Sequence, residues 1–156
     1  MTTNKDKPKP VIRWVKRSEM LAANIPYKDQ RITPPHIFDL NQGEIFVFGT
    51  DARGEHAYGS ARYAADMFGA VPGHPEGLQG HSYAIPTEYY SAEEIRPYVE
   101  RFTAFARTHP RMTFLVTPIG CGAAGHTPQE IAPLFIEASD LRNVCLPESF
   151  WEELNH

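Results

Sequence analysis

The spacing of apolar positions along this chain changes repeatedly after Glu44. Short dense runs of Ile, Val, Phe, Leu and Tyr at 44–48, 82–85, 112–117 and 143–146 read as strands. Between them, at 60–68, 92–108 and 128–138, apolar residues recur every three or four positions, the period of a helix with one buried face. Strand, helix and strand in alternation require crossovers, so the pattern predicts a mostly parallel central sheet with helices packed on its faces. Two helix starts are marked locally. Ser91 with Glu94, and Thr127-Pro128-Gln129-Glu130, each supply a capping residue followed by the glutamate that completes a capping box. Tyr98, Val99, Phe102, Phe105 and Ala106 share one face of the second helix, where core packing is their expected role. Pro97 and Pro133 lie inside helices two and three, and each is expected to bend its helix.

Residues 1–43 follow no such rhythm. Positions 11–15 are a strand candidate, and Pro26, Pro34 and Pro35 point to an irregular segment wrapped on the body. A length of 156 residues suits one domain, read as a basic N-terminal tail and extension over 1–43 followed by an α/β body over 44–156. The composition, 42% hydrophobic and 22% charged, is that of an ordinary globular protein.

Charge is unevenly shared. Residues 1–31 carry +5 and residues 32–156 carry −9, which together make the net −4, and no lysine follows Lys28. A phosphate-binding lysine of the P-loop kind is therefore excluded from the body, and an anion there is expected to rest mainly on backbone amides, with an arginine as the one available side-chain cation. The acidic body argues against a nucleic-acid polymer as partner. No apolar run reaches the roughly 18 residues of a membrane span, and the start lacks a signal-peptide core, so no membrane partner and a cytoplasmic location are expected. Cys121 and Cys145 form neither a disulfide framework nor a zinc site; both are expected to be small buried residues. The seven histidines show no metal-ligand spacing, and neither a metal nor a separate cofactor is called for.

Two glycine-rich loops carry the candidate chemistry. The first runs from Gly49 through Thr50, Asp51, Gly54, His56 and Tyr58 to Gly59; the second is Gly120-Cys121-Gly122-Ala123-Ala124-Gly125-His126. Each follows a strand-like run and leads into a helix, an arrangement that presents backbone N–H groups and a helix N-terminus to an anion. Loops at the carboxyl ends of parallel strands line the ligand crevice of open α/β sheets, so the two loops are expected to converge. Asp51 is the candidate to hold a ribose hydroxyl or orient water, and His56 the candidate proton carrier.

With these residues in view, a resemblance can be stated. Glu44-Ile45-Phe46-Val47-Phe48-Gly49-Thr50-Asp51, the loop into a helix of small residues, Tyr83-Ala84-Ile85-Pro86-Thr87, Pro118-Ile119-Gly120-Cys121-Gly122-x-x-Gly125, and Asn143-Val144-Cys145-Leu146-Pro147 with Phe150 resemble a macro domain over roughly 44–150. The resemblance is strongest to macro domains related to ADP-ribosyl glycohydrolases. It implies a three-layer α/β/α fold that binds ADP-ribose or a related NAD-derived nucleotide. The diphosphate would lie between the turn Gly120 to Gly125 and the clamp Gly54 to Gly59, and Phe150 would stack on the adenine or line the distal ribose pocket. Asp51 stands where many macro domains carry an asparagine, and Tyr58-Gly59-Ser60 stands where the clamp usually carries an acidic residue. The resemblance leaves binding as the shared expectation, and hydrolysis of an ADP-ribosyl linkage, including one on an ADP-ribosylated macromolecule, is one reading. A non-catalytic reader or sink for a nucleotide signal is a second, and a Rossmann-like module binding another phosphorylated metabolite a third.

Overall fold

The computed structural model describes residues 30–154; the strand candidate at 11–15 and the basic tail lie outside the described residues. Nine elements follow in chain order: β1 (Glu44–Thr50), α1 (Gly59–Met67), β2 (Gly77–Gln79), β3 (Ser82–Pro86), α2 (Ala92–Arg107), β4 (Thr113–Val116), α3 (Pro128–Ile131), β5 (Val144–Cys145) and α4 (Glu148–Leu154). They form an α/β architecture around a five-stranded sheet of order β2-β3-β1-β4-β5. All pairings are parallel except β2 with β3, where Leu78 faces Tyr83.

Alternation along β1 shows how the sheet divides the core. Ile45 and Val47 point to one face, where they join Tyr83, Ile85, Phe114 and Val116 beneath Ile95, Val99 and Phe102 of α2 and Phe150 and Trp151 of α4. Phe46 and Phe48 point to the other, where Ala61 and Ala64 bring α1 close to Ala84. Those two alanines let α1 sit near the sheet. Helices thus cover both faces.

The expected strands and the first two helices appear within a few residues of their predicted ends. Both capping boxes form: Ser91 accepts from the Glu94 backbone and Thr127 from the Glu130 backbone, and each glutamate returns the bond. The third helix is corrected. Instead of running over 128–138, α-helix stops at Ile131 and the chain continues as 3₁₀ turns at Ala132–Phe135 and Ala138–Asp140. Pro133 has no N–H for the Gln129 carbonyl, so the α-ladder cannot pass it. Pro97 in contrast lies within a helix that continues to Arg107. The short antiparallel β2 and the closing α4 were not expected from periodicity; three residues with a leading glycine carry no detectable alternation.

Residues 30–43 pack on the body without regular structure. Ile32 bridges to Leu146, and Trp151 Nε1 donates to the Arg31 carbonyl at 2.7 Å. The buried Arg31 guanidinium donates to the carbonyls of Ser139, Leu141 and Val144 and lies 5.4 Å from the Trp151 ring centre. Carbonyl dipoles at the end of the 3₁₀ region thus offset part of that charge.

Candidate functional site

The two glycine loops leave the carboxyl ends of the adjacent strands β1 and β4, and together with the turn after β3 they enclose a cavity of about 420 Å³. Gly49, Thr50, Asp51, His56, Tyr58 and Gly59 of the first loop line it, as do Gly120, Cys121, Gly122, Ala123 and Ala124 of the second. Gly54, Gly125 and His126 do not. Gly54 packs instead against the 73–75 turn: at φ +66 a Cβ there would come within 2.4 Å of the Pro75 nitrogen, and its carbonyl accepts from Gly73. Its glycine is required by that backbone contact, not by a ligand. His126 spans Tyr90 and Glu130, its Nε2 lying 2.7 Å from the Tyr90 carbonyl.

The cavity is rich in unspent backbone donors. Within 120–126, Cys121, Gly125 and His126 donate to carbonyls of their own turn, whereas the N–H groups of Gly120, Gly122, Ala123 and Ala124 donate to no described residue. Opposite them, α1 starts at Gly59 with Tyr58 at its N-cap position, no side chain capping it and no acidic residue in its first turn. Gly59, Ser60 and Ala61, whose N–H groups are free by helix geometry, all line the cavity. The N-terminus of α1 therefore opens on the cavity with no side-chain cap of its own. No lysine or arginine is among the lining residues, so any anion here is held by neutral donors, the amides and hydroxyls.

Side chains of the first loop are more heavily committed than the sequence suggested. Asp51 Oδ1 accepts from the backbone N–H groups of Arg53 and Glu55, both at 3.0 Å, which makes it the organiser of its own turn. His56 departs from the expected free proton carrier. It is 2% exposed, with Nδ1 2.9 Å from Thr50 Oγ1 and Nε2 3.1 Å from Gln79 Oε1. Both ring nitrogens are occupied, so the imidazole acts as a buried strut between β1 and β2. Phe150 departs further: it is fully buried, 5.7 Å from the Phe135 ring in the core, and touches neither cavity.

Cys121 is half-buried on the cavity wall, and burial pushes its thiol up to about 11, opposite to activation by a helix terminus. Cys145 is buried in β5. The acidic group that periodicity and motif reading missed is Glu88, which follows β3 and lines the cavity; it accepts a short hydrogen bond from the Tyr58 hydroxyl. The signal available was its position two residues past the end of an apolar strand, on the same sheet edge as the loops.

A second hollow of about 320 Å³ continues from the first along Gly59, Ser60, Thr117 and Pro118. Pro34, Pro35, His36, Ile37, Phe38 and Tyr63 form its other walls. The His36 and Phe38 rings stack at 6.2 Å, and Phe38 is 74% exposed. A ring-lined slot of mixed polarity thus adjoins the amide-lined cavity.

No family model, curated protein or solved structure matches this chain. The functional reading consequently rests on the geometry. Among the described residues no group of three His, Cys, Asp or Glu gathers as a metal site, and no helix is long and apolar enough to cross a membrane.

Proposed function

We propose that this protein is a macro-like domain that binds ADP-ribose or a closely related nucleotide diphosphate. One observation carries the reading: an uncapped helix N-terminus and four unpaired amides share a cavity that opens directly into a ring-lined slot. Convergent N–H groups without a side-chain cation suit an extended, shared anion such as a diphosphate better than a single compact phosphate. The slot between His36-Phe38 and Tyr63 suits a planar base, with Phe38 taking the stacking role that the resemblance assigned to Phe150. Ligands bound at the carboxyl ends of parallel strands are the rule in open α/β sheets.

Among the alternatives, the commitments of His56 favour a reader over a hydrolase that uses His56 as its acid or base. An imidazole bonded at both nitrogens and 2% exposed has no free position for a substrate proton.

The test is calorimetry with ADP-ribose and AMP, backed by thermal shift. ADP-ribose binds and AMP binds far more weakly, because AMP fills only part of the amide site. At 100 times its dissociation constant a ligand adds about 2.7 kcal/mol of stability. Absence of ADP-ribose binding, or equal affinity for AMP, overturns the reading. Incubation with ADP-ribosylated protein and nucleic acid, following released ADP-ribose, then separates hydrolase from reader.

A further inference from the structure

The cavity contains two carboxylates, Asp51 and Glu88, and no side-chain cation. Asp51 is bound by its own loop. Glu88 is held differently. Its backbone N–H donates to the Thr50 carbonyl at 3.2 Å, as does that of Thr87 at 2.8 Å, which fixes the turn to the end of β1. The next residue, Tyr89, stands at φ +71, uncommon for a bulky side chain, with its own ring exposed. At the carboxylate, Oε2 accepts the Tyr58 hydroxyl while nothing described donates to Oε1. Tyr58 itself is 54% exposed and stands next to Gly59, at φ +64 with open space around it, so the phenol can leave without breaking core contacts.

Resting on the reading above, we infer that Glu88 is a specificity-determining residue, which exchanges the Tyr58 hydroxyl for hydroxyls of a sugar attached beyond the diphosphate. A carboxylate beside an anion site repels phosphate and accepts only from donors. The ligand segment that meets it must therefore be uncharged and rich in O–H groups, which a terminal ribose is and a terminal phosphate is not. Two free hydroxyls match the two oxygens, and hydrogen bonds to an ionised acceptor are the stronger class. Tyr58 keeps the carboxylate satisfied in the empty cavity. Its phenol, pushed up to about 12 mainly by the bond to Glu88, remains a donor at neutral pH.

The experiment compares ADP-ribose with ADP on the full chain for wild type, Glu88→Ala, Glu88→Gln and Tyr58→Phe, with circular dichroism on each. In wild type ADP-ribose binds more tightly than ADP. Glu88→Ala weakens ADP-ribose and leaves ADP unchanged or tighter, so the preference falls by about tenfold or more. Glu88→Gln, which keeps an acceptor and loses the charge, tightens ADP and retains most of the ADP-ribose affinity. Tyr58→Phe removes the competing hydroxyl and tightens ADP-ribose alone. An unchanged preference in Glu88→Ala, with ADP-ribose still bound, overturns the role of Glu88 and spares the binding reading. A wild type that binds neither ligand overturns both.

Discussion

His56 Nε2 lies 3.1 Å from Gln79 Oε1, and the Gln79 amide cannot turn over. Its Oε1 also accepts from the Val71 backbone at 2.8 Å and its Nε2 donates to the His74 carbonyl at 2.8 Å, so the amide orientation is set from both sides. The imidazole must therefore carry its proton on Nε2, and Nδ1 accepts from the Thr50 hydroxyl. A loop, an edge strand and the end of β1 are joined through one ring.

His56→Ala should consequently act on stability. It leaves Thr50 and Gln79 short of partners and empties a buried site beside Phe48, whose ring lies 5.1 Å from the imidazole. The expected loss is on the order of 3 kcal/mol, read by urea denaturation. A stability unchanged within about 0.5 kcal/mol would contradict the strut role. Nitrogen NMR of the imidazole should report the Nε2–H tautomer.

Gly122 offers the cleanest probe of the anion site. A Cβ there meets nothing within 4 Å and its backbone is not left-handed, so Gly122→Val folds without a clash in the protein. With a diphosphate against the 120–124 amides, the branched side chain occupies ligand space, and ADP-ribose affinity falls at least about tenfold, roughly 1.4 kcal/mol. Calorimetry on a variant of wild-type melting temperature decides; unchanged affinity means the turn is only a connector.

Gly54→Ala should behave in the opposite way. The new Cβ would stand 2.4 Å from the Pro75 nitrogen and 2.5 Å from the His74 carbonyl carbon, at φ +66. Strain plus backbone displacement costs on the order of 2–4 kcal/mol, measured as a lowered melting temperature. Any loss of ADP-ribose affinity should follow from this unfolding and not exceed it.

Cys121 should alkylate slowly at neutral pH. Burial raises its thiol from 9.0 to about 11, so the iodoacetamide rate should climb about tenfold per pH unit and still be rising past pH 9. The sign for stability follows. Because the folded value lies above the unfolded one, this thiol's contribution is fully present below pH 9 and is lost as pH rises toward 11. A rate that levels off near pH 9 would show a solvated thiol. Bound ADP-ribose should protect it, since Cys121 lines the cavity.

Local features of the sequence were legible because their causes are local. The capping boxes at Ser91 and Thr127 work across three residues, and the alternation that divides β1 between two cores is written in Ile45, Phe46, Val47 and Phe48 themselves. The end of α3 was misjudged although Pro133 was in plain view, because apolar periodicity at Leu134 and Phe135 persists in a 3₁₀ turn as well as in a helix. Phe150 was misassigned for a different reason. An aromatic after a strand serves a ligand or a core equally well until α4 turns it inward.

By itself, then, the chain determined the alternation of the four parallel strands with the first helices, the two glycine loops and the lack of any body lysine for a phosphate. Those depend on steric period, capping and composition, which neighbouring residues decide among themselves. Only the tertiary structure decided which polar groups remain available. His56 is occupied by a glutamine 23 residues away, and one oxygen of Glu88 is taken by a tyrosine 30 residues away. Whether a donor or acceptor is free depends on what folding brings to within about 3 Å of it.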